Sequence, residues 1–410
     1  MRLGFGLSLS DFGSRGGVSD AADSRSRAAL SLANETDGLA IDFTDLSMVI
    51  KDTATPANAF AGDPNTKLTY SSPSTKWILG SNGLYSSGTT MRTSYNTSGV
   101  ALGMRIEEAR TNACMRNRDL SNAMWVASNV TAAKDQTGID GVANSASSIA
   151  ATSANGTILQ SITLASSARW QSAFVKRISG SGTLEMTMDG GLTWTAVTVT
   201  SAWARVSLAT QTLANPAPGF RIATSGDAFA IDFVQNENSG IHASSPIETA
   251  GIAVTRAADT IFIPSASFPV PNGNATMVLK ATSRASTGSG SQIAAELTNA
   301  GSNRIGVYRG NTSGMALVVD ASVTQANITA GTWAASTAAT IALGAATNNV
   351  SASIGGAAVV SDTSATIPTS FTRLQIGATI SGSQFNGHIA SLVVLPRRMS
   401  NAELVVASAA

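Results

Sequence analysis

The chain is expected to be all-β: an antiparallel jelly-roll sandwich followed by a second all-β region, with an N-terminal arm and one short C-terminal helix. Three observations carry this. Short apolar runs alternate with turn residues along almost the whole chain. Leu184, Met186 and Met188 alternate strictly ahead of Asp189-Gly190-Gly191, a hairpin pattern. Helix signals converge at one place near the end, where Ser400 and Glu403 form a capping-box pair ahead of Leu404, Val405 and Val406.

The elements read in order as five regions. Residues 1–38 are polar and Gly-rich, an N-terminal arm or anchor segment. Within them residues 20–33 suit a helix capped by Ser19, with a thin apolar face of Leu30 and Leu32. Residues 39–112 form a strap of short strands (LAIDF, MVI, KLTY, KWIL, ALGMRI) broken by Pro56, Pro64, Pro73, Gly83 and Gly99. Residues 113–250 read as the jelly roll. A strand over 157–164 leads it, a second begins at Trp170, and the strand after the Asp189 hairpin changes parity near Ala196, which predicts a bulge. Residues 251–267 are a connector. Residues 268–410 hold eight candidate strands, with Gly355-Gly356 read as a two-residue hairpin turn, and then the helix.

Composition narrows the function. The chain has 410 residues, room for two or three domains. Lys and Arg number 26 against 25 Asp and Glu, a net charge of +1, so no basic footprint for nucleic acid or an anionic membrane is expected. Charged residues make up 12%, about half the roughly 25% of ordinary domains, so Ser, Thr, Asn, Gln and Gly must cover the surface. No apolar run is long enough to span a bilayer, and the first residues do not read as a secretion signal. One cysteine, Cys114, gives no internal disulfide or Cys-based zinc cluster. The Asn-x-Ser/Thr triplets, such as those at Asn129 and Asn155, are what an Asn-, Ser- and Thr-rich chain produces by chance. The Gly-rich pieces at 180–182 and 288–290 do not lead from a buried strand into a helix and are not phosphate loops.

Two stretches carry a family likeness. GMRIEEARTN (103–112) resembles a segment of phage virion proteins that precedes a carbohydrate-binding-module-like jelly roll. Trp125-Val-Ala-Ser128-Asn129-Val130-Thr131 and SAWARVSL (201–208) resemble strands of that jelly roll. The end of the chain, with Phe385, Gly387, His388, Ile389, Leu392, Pro396, Arg397, Arg398, Ser400, Glu403 and Leu404 in register, resembles the close of concanavalin- or laminin-G-like sandwiches in phage fibres and head spikes; Leu395 and Met399 depart from the pattern. The resemblance implies a virion-surface fibre, spike or decoration subunit that binds host-surface polysaccharide without turnover. It implies other virion proteins as partners and a homo-oligomer, by preference a trimer, and brings no catalytic site. A polysaccharide depolymerase and a purely architectural subunit are the alternatives.

For sugar contact, aromatic rings stack on the C–H faces of a pyranose while Asn, Gln, Arg and Asp bind its hydroxyls. The candidates are Trp194 beside the Asp189 hairpin, Trp170 with Arg177 on one strand, Tyr308-Arg309 at a strand end, and Trp333 in a turn. Trp77, Trp125 and Trp203 read as core. No cofactor is expected; calcium is the possible exception, with Asp232 and Glu237 as candidate ligands, though no Asp-x-Asp-x-Asp-Gly loop is present. His388 reads as structural and His242 as solvated. Glu107 and Glu108 point to opposite strand faces; one is expected to pair with Arg105 or Arg110 and lock the strap against the jelly roll, rather than form a hydrolytic carboxylate pair.

Overall fold

A computed structural model describes residues 27–71, 74–238, 242–284, 291–299, 302–379 and 383–409. The expected arm before Arg27 and the Gly288-Ser289-Gly290 stretch lie outside them. The protein is nearly all β and antiparallel, and divides into two compact units. One comprises residues 1–71, 90–108 and 258–410; the other comprises 72–89 and 109–257. The jelly-roll unit is therefore inserted into the concanavalin-like sandwich in sequence. This corrects the separate strap expected at 39–112, whose strands are divided between the two units.

In the concanavalin-like unit a ten-stranded sheet is centred on Asn274–Ser283 and Gly387–Leu395, which pair from Thr276↔Leu395 to Ser283↔Gly387. Strands Gly38–Asp42 and Ser47–Lys51 extend the same sheet beyond Gly387–Leu395. They look too short and polar for a core of their own because each completes a core built mainly by residues more than 200 positions later. Leu39, Ile41, Met48 and Ile50 sit in that core with Met277, Leu279 and Leu392. A seven-stranded sheet that includes Gln292–Thr298, Arg304–Arg309 and Arg373–Ile376 supplies the facing side.

The closing motif is architectural. Phe385, Ile389, Leu392 and Leu395 are fully buried. A Cβ on Gly387 would lie 2.0 Å from the Thr282 carbonyl oxygen, so the strand approach admits only glycine. Arg397 forms a two-pronged ion pair with Glu35 and also meets Glu403 at 3.2 Å. Arg398 donates to the Asn349 carbonyl at 2.9 Å and the Ser351 hydroxyl at 2.8 Å. The helix Asn401–Ser408 has the expected capping box, and its Leu404 and Ala407 pack against Leu32, Leu395 and Met399. Of the helix expected over 20–33, Arg27–Ser31 is helical in the described part. His388 is buried. Glu107 pairs with Arg105 at 2.9 Å, one of the pairings expected for the Glu107-Glu108 stretch, and both residues belong to this unit.

Gly355 and Gly356 both take positive φ, as a hairpin turn requires, but pairing resumes only at Ala352↔Val360, so the loop is longer than two residues.

The jelly-roll unit has a five-stranded sheet in the order Val126–Ser128, Gly156–Leu159, Gly219–Ile222, Leu184–Thr187, Thr195–Val197. Facing it is a seven-stranded sheet whose long members are Ser167–Ser179, Ala204–Leu213 and Ala228–Asn238. Ile158, Leu184, Met186, Phe220 and Ile222 from the first sheet meet Ala173, Val175, Phe229 and Ile231 from the second. The strand expected over 157–164 stops at Leu159. Pairing of Leu184–Thr187 with Thr195–Val197 is regular, so no bulge occurs at Ala196; the parity change arises because Leu192 and Trp194 lie in the turn before the strand, which begins only at Thr195.

A bulge does occur in Ala228–Asn238, where pairing jumps between Ser172↔Gln235 and Phe174↔Asp232. Phe233 takes φ 45° there, a conformation costing a non-glycine residue about 1–3 kcal/mol. The bulge lets both Phe233 and Val234 find apolar surroundings: Val234 enters the sandwich core, and Phe233 joins an outer cluster of Phe174, Trp77, Tyr85 and Trp203. Trp203, expected in the core, is half-buried in that outer cluster, with Lys176 5.1 Å from its ring.

Candidate functional site

The two faces of the jelly-roll unit differ. The outer face of the seven-stranded sheet is covered. Residues 244–249 cross it, held by Arg205 bonding the Ser244 carbonyl and the Ser172 hydroxyl, and by the Ile247 N–H donating to the Gln235 side chain. The Asn112 side chain donates to the Val234 and Ile247 carbonyls and accepts from the Cys114 and Asn236 amides, which gives the Arg-Thr-Asn stretch a structural role. The hairpin of Lys76–Leu79 and Tyr85–Gly88 covers more, with Trp77 edge-on to Phe233 at 5.1 Å and Tyr85 edge-on to Phe174 at 5.2 Å.

The outer face of the five-stranded sheet is the open one. Strand alternation sends Met186, Phe220 and Ile158 inward, so Glu185, Arg221 and Thr157 point outward as cross-strand neighbours. Arg221 forms an ion pair with Glu185, and its guanidinium lies 4.8 Å from the centre of the Trp194 ring. Trp194 is half-buried. Leu192 is 90% exposed and Val126 67% exposed, adding apolar surface to that of the ring.

The turn that presents Trp194 is rigid. The Asp189 carboxylate accepts from the Thr187 hydroxyl at 2.7 Å and the Thr193 N–H at 3.0 Å. Desolvation works to raise the Asp189 pKa, but these hydrogen bonds outweigh it and hold the group below the ordinary carboxylate range. The Gly190 N–H donates to the Ala217 carbonyl at 3.1 Å, fastening the turn to the neighbouring chain. Gly191 has φ 91°, and a Cβ there would sit 2.9 Å from the indole, so glycine allows the ring to close over the turn.

Of the residues expected to touch a sugar, the structure leaves Trp194 on an open face and accounts for the others elsewhere. Trp333 is 1% exposed; its ring packs 5.9 Å from Phe385 and its indole N–H donates to the Thr337 carbonyl. Its position after Gly331 suggested an exposed turn, but the facing sheet closes over it. Tyr308 and Arg309 are also buried. Tyr308 donates to the Asn327 side chain, and Arg309 donates to the Trp333 carbonyl at 3.0 Å. Burial pushes the Tyr308 hydroxyl pKa up. Trp170 is half-buried opposite Glu237, its ring nitrogen shut from solvent. Arg177 stacks on Phe229 at 4.7 Å and donates to the Gly182 carbonyl at 2.7 Å, a packing role.

The calcium candidates do not converge. Asp232 and Glu237 are five residues apart on one strand, about 16 Å at 3.3 Å per residue. Asp232 is fully buried and gripped by Arg118 at 2.8 and 3.1 Å, and it accepts the Ile139 and Phe233 N–H groups. Glu237 accepts from the Ser244 amide and hydroxyl. Among the described residues no three His, Cys, Asp or Glu side chains gather as a metal site. His242, expected to be solvated, is half-buried.

Two features were missed by sequence reasoning. One is Arg118, which joins Asp232, Asp140 at 2.8 Å and the faces of Phe233 and Trp77 at 4.2 and 5.4 Å. Nothing in the local stretch RNRDL marks it, because its partners come from more than 20 to more than 100 residues away. The other is Trp77, assigned to a core and found lining a cleft.

Comparison with family models finds no match, and comparison with curated proteins finds none. Solved structures are similar over parts of the chain. A carbohydrate-binding module of a Ruminococcus gnavus sialidase, bound to sialyllactose, is 15% identical, covering 34% of this chain and 84% of that one, with a TM-score of 0.29. Domain 4 of a Geobacillus stearothermophilus arabinanase, in complex with arabinotriose, is 13% identical over 37% of this chain and 73% of that one, with a TM-score of 0.29. Domains LG4-5 of the mouse laminin alpha1 chain are 11% identical over 61% of this chain and 90% of that one, with a TM-score of 0.24.

Proposed function

We propose that this chain is a non-catalytic glycan-binding protein of a virion surface, a fibre, spike or decoration subunit, and that the open face around Trp194 is its reading surface. The observation that carries the glycan reading is the grouping of Trp194, Arg221, Glu185 and Thr157 on the uncovered sheet of the jelly-roll unit. The indole offers apolar surface to C–H groups. Arg221 offers N–H donors, Glu185 acceptors, and Thr157 both, which matches a hydroxyl-rich ligand. The turn below is fixed before any ligand arrives, so little ordering cost falls on binding.

Non-catalytic binding is favoured over depolymerisation because glycoside cleavage needs two carboxyl groups flanking the bond. Here Glu185 is tied to Arg221, and Asp189 is spent on its own turn. The virion setting rests on the sequence resemblance of the stretches at 103–112 and 385–404.

On an array of bacterial surface polysaccharides displayed multivalently, the intact chain is expected to bind a subset, and Trp194→Ala to weaken that binding at least tenfold. Unchanged binding by Trp194→Ala counts against the reading. Homo-oligomerisation, with a trimer preferred, belongs to the same proposal, since copies side by side multiply weak single-site affinity. Light scattering at micromolar concentration is expected to give three chain masses; one chain mass contradicts it.

A further inference from the structure

The structure assigns to the jelly-roll unit a second sugar site, a cleft of about 360 Å³ on the side away from Trp194, which takes a single pyranose unit. Trp77, Thr75, Ser87, Glu248, Thr255 and Arg256 line it together with the apolar Ile247 and Val254. It rests on the reading that this unit binds glycans, and it adds a subsite that the open face does not contain.

Four properties point to a sugar. The volume lies at the small end of the roughly 300–1,000 Å³ usual for small-molecule pockets, too small for a folded partner. An aromatic ring and two aliphatic side chains share the wall with hydroxyls, the mixed lining that a pyranose with its apolar and polar sides requires. The lining holds one carboxylate, Glu248, and one guanidinium, Arg256, so neither a strongly anionic nor a strongly cationic ligand is selected; the ion pair of Glu248 is with Arg118 at 3.8 Å. Finally, the groups are held in place. Trp77 is braced by Phe233 at 5.1 Å and by the Arg118 guanidinium at 5.4 Å. The Ser74 hydroxyl accepts the Ala257 N–H at 3.0 Å, and the Thr111 and Thr255 hydroxyls bond at 2.8 Å, which stiffens the opposite wall.

In this arrangement the indole of Trp77 packs against the C–H face of the ring. The Glu248 carboxylate, whose side chain is 49% exposed at the rim, accepts from two neighbouring sugar hydroxyls, and the exposed Thr75 and Ser87 hydroxyls complete the set. Trp77 packs against Phe233 on the outer side of the seven-stranded sheet, and Trp194 lies on the outer side of the five-stranded one. The unit then carries two sugar contacts on opposite sides, and one chain could engage two strands of a polysaccharide.

The test titrates the full chain with methyl α-glucoside, methyl α-galactoside, methyl α-mannoside and methyl N-acetyl-β-glucosaminide, followed by calorimetry and tryptophan fluorescence. At least one probe is expected to saturate at millimolar concentration, with binding abolished in Trp77→Ala, weakened at least tenfold in Glu248→Gln, and retained in Trp194→Ala. Glu248 is at the surface, so Glu248→Gln keeps the test sound if Trp77→Ala folds poorly. Titration by no probe, or wild-type affinity in Glu248→Gln, overturns the second site. If either occurs while polysaccharide binding still depends on Trp194, the second site falls and the open-face reading stands; loss of the Trp194 dependence alone sinks only the open-face reading.

Discussion

Arg118→Met is expected to destabilise the jelly-roll unit by about 3–5 kcal/mol, the usual cost of leaving a buried charge without its partner. Asp232 is fully buried, and Arg118 supplies two of its hydrogen bonds while also pairing with Asp140. Methionine keeps much of the packing between Phe233 and Trp77 but none of the charge. The loss should depend on pH. Desolvation already raises the Asp232 pKa in the folded protein, with Arg118 acting to lower it; removing Arg118 raises it further. A carboxyl whose folded pKa lies above its unfolded value holds its proton longer in the native state. Stability is then retained below the unfolded value and lost as pH rises through the folded one. Urea melts should therefore show a larger gap between variant and wild type at pH 7 than at pH 4. Adding Asp232→Asn to Arg118→Met should recover part of the loss at pH 7. An equal gap at both pH values would mean that packing, not charge, sets the cost.

Trp333→Ala is expected to cost about 3–5 kcal/mol in the concanavalin-like unit, the range for emptying a buried aromatic site. The ring is 1% exposed, packs on Phe385 and bonds the Thr337 carbonyl, and its own carbonyl anchors buried Arg309. Truncation leaves a cavity beside Phe385 and removes the hydrogen bond to the Thr337 carbonyl, while the backbone carbonyl that anchors Arg309 remains. Calorimetry should show a lower melting transition for this unit, with glycan binding at a permissive temperature unchanged. Loss of binding in a variant that remains folded would restore Trp333 to the ligand-contacting set.

These two residues show what the sequence could and could not disclose. Alternation of Leu184, Met186 and Met188 marks a strand, and the Ser400–Glu403 pair marks a helix start, because both signals are local and depend on a period of two or on a three-residue spacing. The turn that precedes Trp194 was legible for the same reason: its Asp and Gly residues impose their geometry on their neighbours. Insertion of the jelly roll into the other sandwich was not legible. Leu39 and Ile41 look like ordinary short-strand residues until Leu392 and Val394 are placed beside them. Trp333 and Tyr308 failed as ligand contacts because a turn position or a strand end says nothing of what the opposite sheet lays over it. Arg118 went unseen because a long-range ion pair leaves no trace within a ten-residue window.

Recognition of carbohydrate by the open sheet of the jelly-roll unit is the central proposal. The most direct test is to measure binding of the intact chain to multivalent surface polysaccharides alongside Trp194→Ala and Arg221→Ala, with folding of each verified by its melting transition. Saturable binding by the wild type, reduced at least tenfold in both folded variants and accompanied by no release of reducing ends, is the predicted result. Failure of the wild type to bind any polysaccharide, undiminished binding by both variants, or steady production of reducing ends would contradict it.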